Sequence, residues 1–207
     1  GDDNSYFVKN DGSLWVTGGN SPYILLGDFS ITARSSPVQL GSGFEWEIAY
    51  PSRNTGRAAF ATKLDKTLYG WGYNQFGHLG TNDTIDRSSP VQVAGSWSQI
   101  AQGYIFTLGI RTNGTLWAWG RNIYGSLGTG STNNLSSPVQ IGTSSWTSVA
   151  GNYYNTFAIR KDGILFACGY NRYGQLGDGT TVDKSSPVQI GTSSWTSIAA
   201  NTSNLFA

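Results

Sequence analysis

Charge is scarce in this chain. Asp, Glu, Lys and Arg make up only 12% of 207 residues, the formal net charge is +1, and no cluster of Lys or Arg stands out. Gripping DNA or RNA by its phosphates takes a basic stripe, so no nucleic-acid partner is expected. Long apolar runs are also missing. No stretch reaches the about 18 apolar residues that suggest a membrane helix, so no membrane insertion is expected, and no signal-peptide pattern is present. Cysteine is reduced to Cys168, which excludes an internal disulfide, and histidine to His78. No paired carboxylates, histidine cluster or activated nucleophile emerges. The sequence therefore predicts no catalytic residue, no metal site, no cofactor and no enzymatic activity.

Aromatic residues and glycine are plentiful. Eight Trp, eleven Tyr and nine Phe can supply a sizeable core, while 28 Gly are too many for long helices. Short strands joined by turns are the expectation. Internal repeats support it. Ser-Ser-Pro-Val-Gln starts at Ser35, Ser88, Ser136 and Ser185, at intervals of 53, 48 and 49 residues. A Leu-aromatic pair at Leu14-Trp15, Leu68-Tyr69, Leu116-Trp117 and Leu165-Phe166 drifts in step, and residues 136–148 recur identically at 185–197.

A third marker is a loop of pattern G-x-N-x-[FY]-G-x-L-G at 72–80, 120–128 and 169–177, degenerate at 18–27. In the clearest copy four strand-like runs are expected, at 146–150, 156–160, 164–168 and 187–190. Asp162-Gly163, Asn113-Gly114 and Asp11-Gly12 read as tight hairpin turns, because such pairs tolerate the positive φ of two-residue hairpins. Asp65-Lys66 stands in the same place, and a looser hairpin is expected there. Four strands repeated at about fifty residues is the arithmetic of a propeller blade. The expected fold is all-β, a propeller of four-stranded blades in one segment spanning 1–207. Its repeats run approximately over 6–59, 60–106, 107–155 and 156–204, with 205–207 starting a further blade.

The succession Trp-x-x-[IV]-Ala, [FL]-[AG]-Ile-Arg-x-[DN]-Gly, Leu-[WF]-Ala-x-Gly-x-Asn-x-Tyr-Gly-x-Leu-Gly and Ser-Pro-Val resembles the regulator of chromosome condensation repeat, over nearly the whole chain. Kelch repeats are of similar length but need a Gly-Gly doublet in each copy, and only Gly18-Gly19 qualifies. The resemblance implies a seven-bladed ring, of which four repeats are visible. The sequence is then expected to be part of a longer polypeptide or a larger assembly. The rival is closure as a small four-bladed ring or by oligomerisation. The chain departs from the family where a His often opens the second strand, since Phe106 and Asn155 stand there, and it carries a short insertion at 52–57.

Features that recur in every blade read as architecture. His78 occupies a slot filled elsewhere by Ser126 and Gln175, and Cys168 stands where Trp71 and Trp119 stand. Trp97, Trp146 and Trp195 recur once per repeat, which favours packing between blades over sugar stacking. Asp178 and Asp183 are explained by turn chemistry better than by calcium. The glycine loops lack the Lys of a phosphate-binding loop, and their Asn is expected to bond turn backbone. What varies between blades is more informative. Tyr73, Arg121 and Tyr170, with Gln75, Ile123 and Arg172, lie between the fixed loop residues and are the candidate binding residues.

The expected function is a non-enzymatic binding or structural propeller with a protein partner. Low charge and richness in Ser, Thr, Asn and Gly point to a virion or extracellular surface component, with an intracellular location as the alternative. The resemblance implies two further readings, an inhibitor of secreted enzymes such as β-lactamases, and a guanine-nucleotide exchange factor that binds a GTPase and chromatin.

Overall fold

The computed structural model describes residues 4–20, 25–43, 45–51, 57–200 and 205–206, with backbone only at 200, 205 and 206. Most of the insertion at 52–57, part of the degenerate loop at 18–27 and residue 207 lie outside the described residues. Among the described residues all regular structure is β, and no helix is long and apolar enough to cross a membrane.

β1 (Asn4–Val8), β2 (Leu14–Gly18) and β3 (Arg34–Gln39) form one antiparallel sheet. The next strands are β4 (Trp46–Tyr50), β5 (Ala58–Lys63), β6 (Thr67–Gly72), β7 (Arg87–Gln102) and β8 (Phe106–Arg111). They are followed by β9 (Thr115–Gly120), β10 (Leu135–Gly151), β11 (Asn155–Arg160), β12 (Ile164–Gly169) and β13 (Lys184–Ser194). Each of these pairs with its sequence neighbours. Finally β14 (Ala199–Ala200) pairs with β15 (Leu205–Phe206), Ala199 opposite Phe206.

The four-strand unit emerges from the pairing. The first part of β7 pairs with β6, and its second part, from Trp97 to Gln102, pairs with β8. β10 does the same between β9 and β11. One unit is therefore β4, β5, β6 and the start of β7. The next runs from the end of β7 to the start of β10, and a third from the end of β10 to β13.

The sequence suggested that the last run of one repeat and the first of the next are separate strands. They are instead halves of one strand. Residues 141–145 contain neither Pro nor a tight-turn pair. Gly142 at φ 60° and a register shift between Gln140 and Ser145 bend the strand without ending it. The Asp65-Lys66 hairpin also differs from expectation. It closes with Lys66 N–H donating to Lys63 C=O at 2.9 Å, much like the Gly114 and Gly163 turns at 2.8 Å. Lys66 takes the left-handed conformation itself, at φ 68°, and its ammonium pairs with Glu47.

The core lies between units. Trp71 of β6 packs with Leu14 and Val16 of the first sheet and Leu26 of its loop, and Trp119 of β9 with Phe60, Leu68 and Leu79 of the preceding unit. β5, β8 and β11 are buried on both faces over their first five residues, as a strand inside a stack of sheets must be. Each glycine loop is pinned to the next unit by the residue in the Trp slot. Trp71 Nε1–H donates to Leu25 C=O at 2.8 Å, and Trp119 Nε1–H to His78 C=O at 2.9 Å.

Cys168 fills the third slot, its sulfur 3.6 Å from Ser126 C=O. Burial pushes its thiol up to about 12. The thiolate is the reactive species, so the native protein should not react with a thiol reagent at neutral pH and should yield its one thiol only after denaturation. Rapid labelling of the folded chain would contradict this placement.

Candidate functional site

The order of strands decides which loops meet. In an antiparallel four-strand unit, the connection from first to second strand and that from third to fourth emerge at the same end. Segments 103–105 and 152–154 therefore share a face with the glycine loops. The hairpins at 64–66, 112–114 and 161–163 lie at the other end.

Each glycine loop is held by its asparagine. Asn74, Asn122 and Asn171 are fully buried. Their Oδ1 atoms accept from the amides of Leu79, Leu127 and Leu176, each at 2.9 Å. Their Nδ2 groups donate across the loop, to Asp83 C=O, Ser131 C=O and Thr180 C=O. Their own amides donate to side chains at the loop's far end: Asp86, Asn134 and Asp183. One buried amide thus fixes both ends of a loop, leaving the residues between them to project.

Asp178 belongs to the same turn chemistry. Burial alone would raise its carboxyl, but the amide and hydroxyl of Thr180, the Asn171 amide and the Lys184 ammonium outweigh that and hold it at about 2. Among the described residues no group of three or more His, Cys, Asp or Glu could hold a metal ion. His78 is buried, its ring 5.6 Å from that of Tyr73.

On this face the rings of successive repeats join. Tyr104 and Tyr153, at equivalent positions of adjacent repeats, stack with centroids 4.2 Å apart and planes 14° apart. Tyr154 lies 4.6 Å from Tyr153 and 4.9 Å from Tyr124, which in turn lies 4.9 Å from Tyr170. Tyr173 extends the row beyond Tyr170 and is 83% exposed. At the other end Tyr73 meets Phe76, and the Arg121 guanidinium lies 4.9 Å over the Phe76 ring. Edge-to-face and offset pairs of this kind are favourable beyond their burial.

Burial raises the phenols of Tyr153, Tyr154 and Tyr170. Neighbouring hydroxyls add to the rise, and Arg57, Arg121 and Arg172 respectively oppose it. The hydroxyls therefore stay protonated at neutral pH and can donate hydrogen bonds.

The candidate residues divide accordingly. Tyr73, Arg121 and Tyr170 enter the aromatic row. Arg172 is exposed beside Tyr170, Ile123 is 43% exposed, and Gln75 donates weakly to Asp86 at 3.4 Å. Sequence reasoning missed Tyr104, Tyr153 and Tyr154, which sit in the other set of loops. It also passed over Phe76, Tyr124 and Tyr173, which fill the [FY] position of the loop pattern and looked architectural. Counting strands would have placed both loop sets at one end and exposed the cluster. Of the recurrent Trp residues, Trp97 and Trp146 are buried and Trp195 half-buried.

Repeated four-strand units with their cores between them define a β-propeller protein, with a tyrosine-lined loop face as its candidate binding surface. Residues 65–110, 113–159 and 162–203 match the regulator of chromosome condensation (RCC1) repeat, and the chain belongs to that family. Human WBSCR16 is similar in structure, with a TM-score of 0.81 over 98% of this chain and 55% of that one at 22% identity. Prp20p of Saccharomyces cerevisiae is similar with a TM-score of 0.78, over 92% of this chain and 49% of that one at 20% identity. In sequence, 89 residues are 36% identical to the ultraviolet-B receptor UVR8 of Arabidopsis thaliana, 42% of this chain and 19% of that protein. The chain spans about half the length of the two solved relatives, and its matched segment spans about a fifth of UVR8.

Proposed function

We propose that this chain is a non-enzymatic protein-binding propeller that holds its partner against the tyrosine and arginine face. The observation that carries the reading is the row from Tyr73 to Tyr173. It runs across several repeats, joining the asparagine-locked glycine loops to the 103–105 and 152–154 segments, and its rings are partly exposed, Tyr173 most of all. Tyr and Arg are favoured anchors of protein interfaces, and loops on a rigid scaffold are where binding residues concentrate. A related propeller binds proteins: Prp20p, the yeast RCC1, has binding properties toward Gsp1p and histones, and is bound by Kap60.

We extend the reading in two directions. The repeats are an arc of a seven-bladed ring, and the protein is a surface component of a virion or of the extracellular space. Low charge and abundant Ser, Thr, Asn and Gly support the second. The test compares proteins that co-purify with the intact protein and with its Tyr124→Ser/Tyr154→Ser variant, both checked for fold by circular dichroism. Loss of a specific partner in the folded variant is the expected result. A partner retained equally by both would remove this face from the interface.

A further inference from the structure

We propose that the partner segment docking on this face is acidic, a run of Asp or Glu carboxylates lying across the tyrosine row. The inference rests on the protein-binding reading above and adds the partner's chemistry.

Most cations at the hairpin end of the units are already engaged, exposed Lys161 being the exception. Lys63, Lys66 and Arg160 pair with Glu45, Glu47 and Asp162. Arg111 lies 3.6 Å over the Trp117 ring. Around the glycine loops, Arg87 and Lys184 pair with Asp83 and Asp178. Arg121 and Arg172 differ: among the described residues, no carboxylate pairs with either.

Arg121 holds its guanidinium over Phe76, and its Nε is buried with no hydrogen-bond partner. Arg172 is exposed at the loop tip next to Tyr170. The acids of the same loops are half-buried and tied to loop backbone, although Asp183 stands near enough to Tyr170 to help raise its phenol. Asp86 and Asp183 each accept an asparagine amide at 2.7 Å. With these carboxylates already engaged, the charged groups left without an ionic partner around the row are the guanidinium donors of Arg121 and Arg172, beside the phenol O–H groups. A guanidinium is strongly complemented by a carboxylate, in a charge-assisted and often bidentate geometry. The stacked rings supply apolar area for the chain between the carboxylates. The surface is spread over several loops and suits an extended segment.

The intact protein is titrated into a fluorescein-labelled glutamate-rich peptide and into serine-rich and lysine-rich peptides of equal length, at low and physiological salt. Anisotropy is expected to rise with the glutamate-rich peptide alone and to fall back as salt screens the charges. Arg121→Gln/Arg172→Gln should weaken that binding by about tenfold, the loss of charge-assisted hydrogen bonds. Arg172→Gln alone removes an exposed side chain that no fold contact needs, and should show part of the loss. Equal binding of all three peptides, no binding at low salt, or unchanged affinity in the arginine variants would overturn the proposal. If the native partner is lost on Tyr124→Ser/Tyr154→Ser while the glutamate-rich peptide does not bind, only the acidic assignment falls. If the variant keeps its partner and the peptide does not bind, both fall.

Discussion

Trp119→Ala should destabilise the protein by about 3–5 kcal/mol, the range for deleting a large buried aromatic side chain. The indole is fully buried, 5.2 Å from Trp97 by ring centroid, and part of the core layer between two units. It also donates to His78 C=O, which accepts Thr107 Oγ1–H at 2.8 Å as well. The substitution therefore opens a cavity and removes one of the two hydrogen bonds that hold the His78 carbonyl to the following unit. Trp119→Phe should cost less, because it keeps much of the packing and leaves the Thr107 bond to the carbonyl. Urea unfolding followed by circular dichroism measures both. A shift of the alanine variant below about 1 kcal/mol, the scale of an ordinary substitution, would mean the indole is not part of the core.

Gly77→Ala should destabilise by roughly 2–4 kcal/mol, the sum of left-handed strain and overpacking. Gly179→Ala should cost about 1 kcal/mol, from the strain alone. The two glycines have nearly the same φ, 76° and 77°. Their surroundings differ. A Cβ on Gly77 would meet the Cα of Ser136 at 2.4 Å, whereas nothing lies within 4 Å of one on Gly179. The comparison separates the backbone conformation a turn requires from the close approach of one unit to the next. Gly125 faces Ser185 at the same 2.4 Å, so Gly125→Ala should follow Gly77→Ala. Equal unfolding midpoints for Gly77→Ala and Gly179→Ala would refute the role of the approach.

Much of this architecture was legible in the sequence because it is local. Asn122 and Leu127 are five residues apart, and their bond is implied by a loop pattern that recurs at fixed spacing. The Asn113-Gly114 and Asp162-Gly163 hairpins are two-residue signals with a known conformation. The merged strands were less legible. Gly142 and the serines after Thr143 look like a break, and only the partners on either side, β9 and β11, hold the segment extended. Lys66 in a glycine-like conformation was hidden for the same reason, since the flanking strands impose the turn.

The tyrosine face was legible only in part. Tyr73, Arg121 and Tyr170 vary between repeats and were found by that variation. Tyr104 and Tyr153 stack across 49 positions of sequence, and Tyr124 touches Tyr154 from a different loop type. Such contacts depend on how units stack, which no pattern within one repeat reports. The [FY] positions were masked by their own regularity, since a residue that recurs for turn geometry can also face a partner.

The shared strands bear on how such a chain lengthens. The identical segments 136–148 and 185–197 fall on β10 and on β13 with the residues after it, which is the seam rather than the body of a unit. In each case the Trp within the segment is tied in the same way, Trp146 N–H to Gly114 C=O and Trp195 N–H to Gly163 C=O, both at 2.8 Å. A gene duplication whose breakpoints lie within this seam carries both halves of the splice with it. The inserted copy then meets its predecessor and its successor through a joint already in use, and repeat number can grow without any new junction having to be invented.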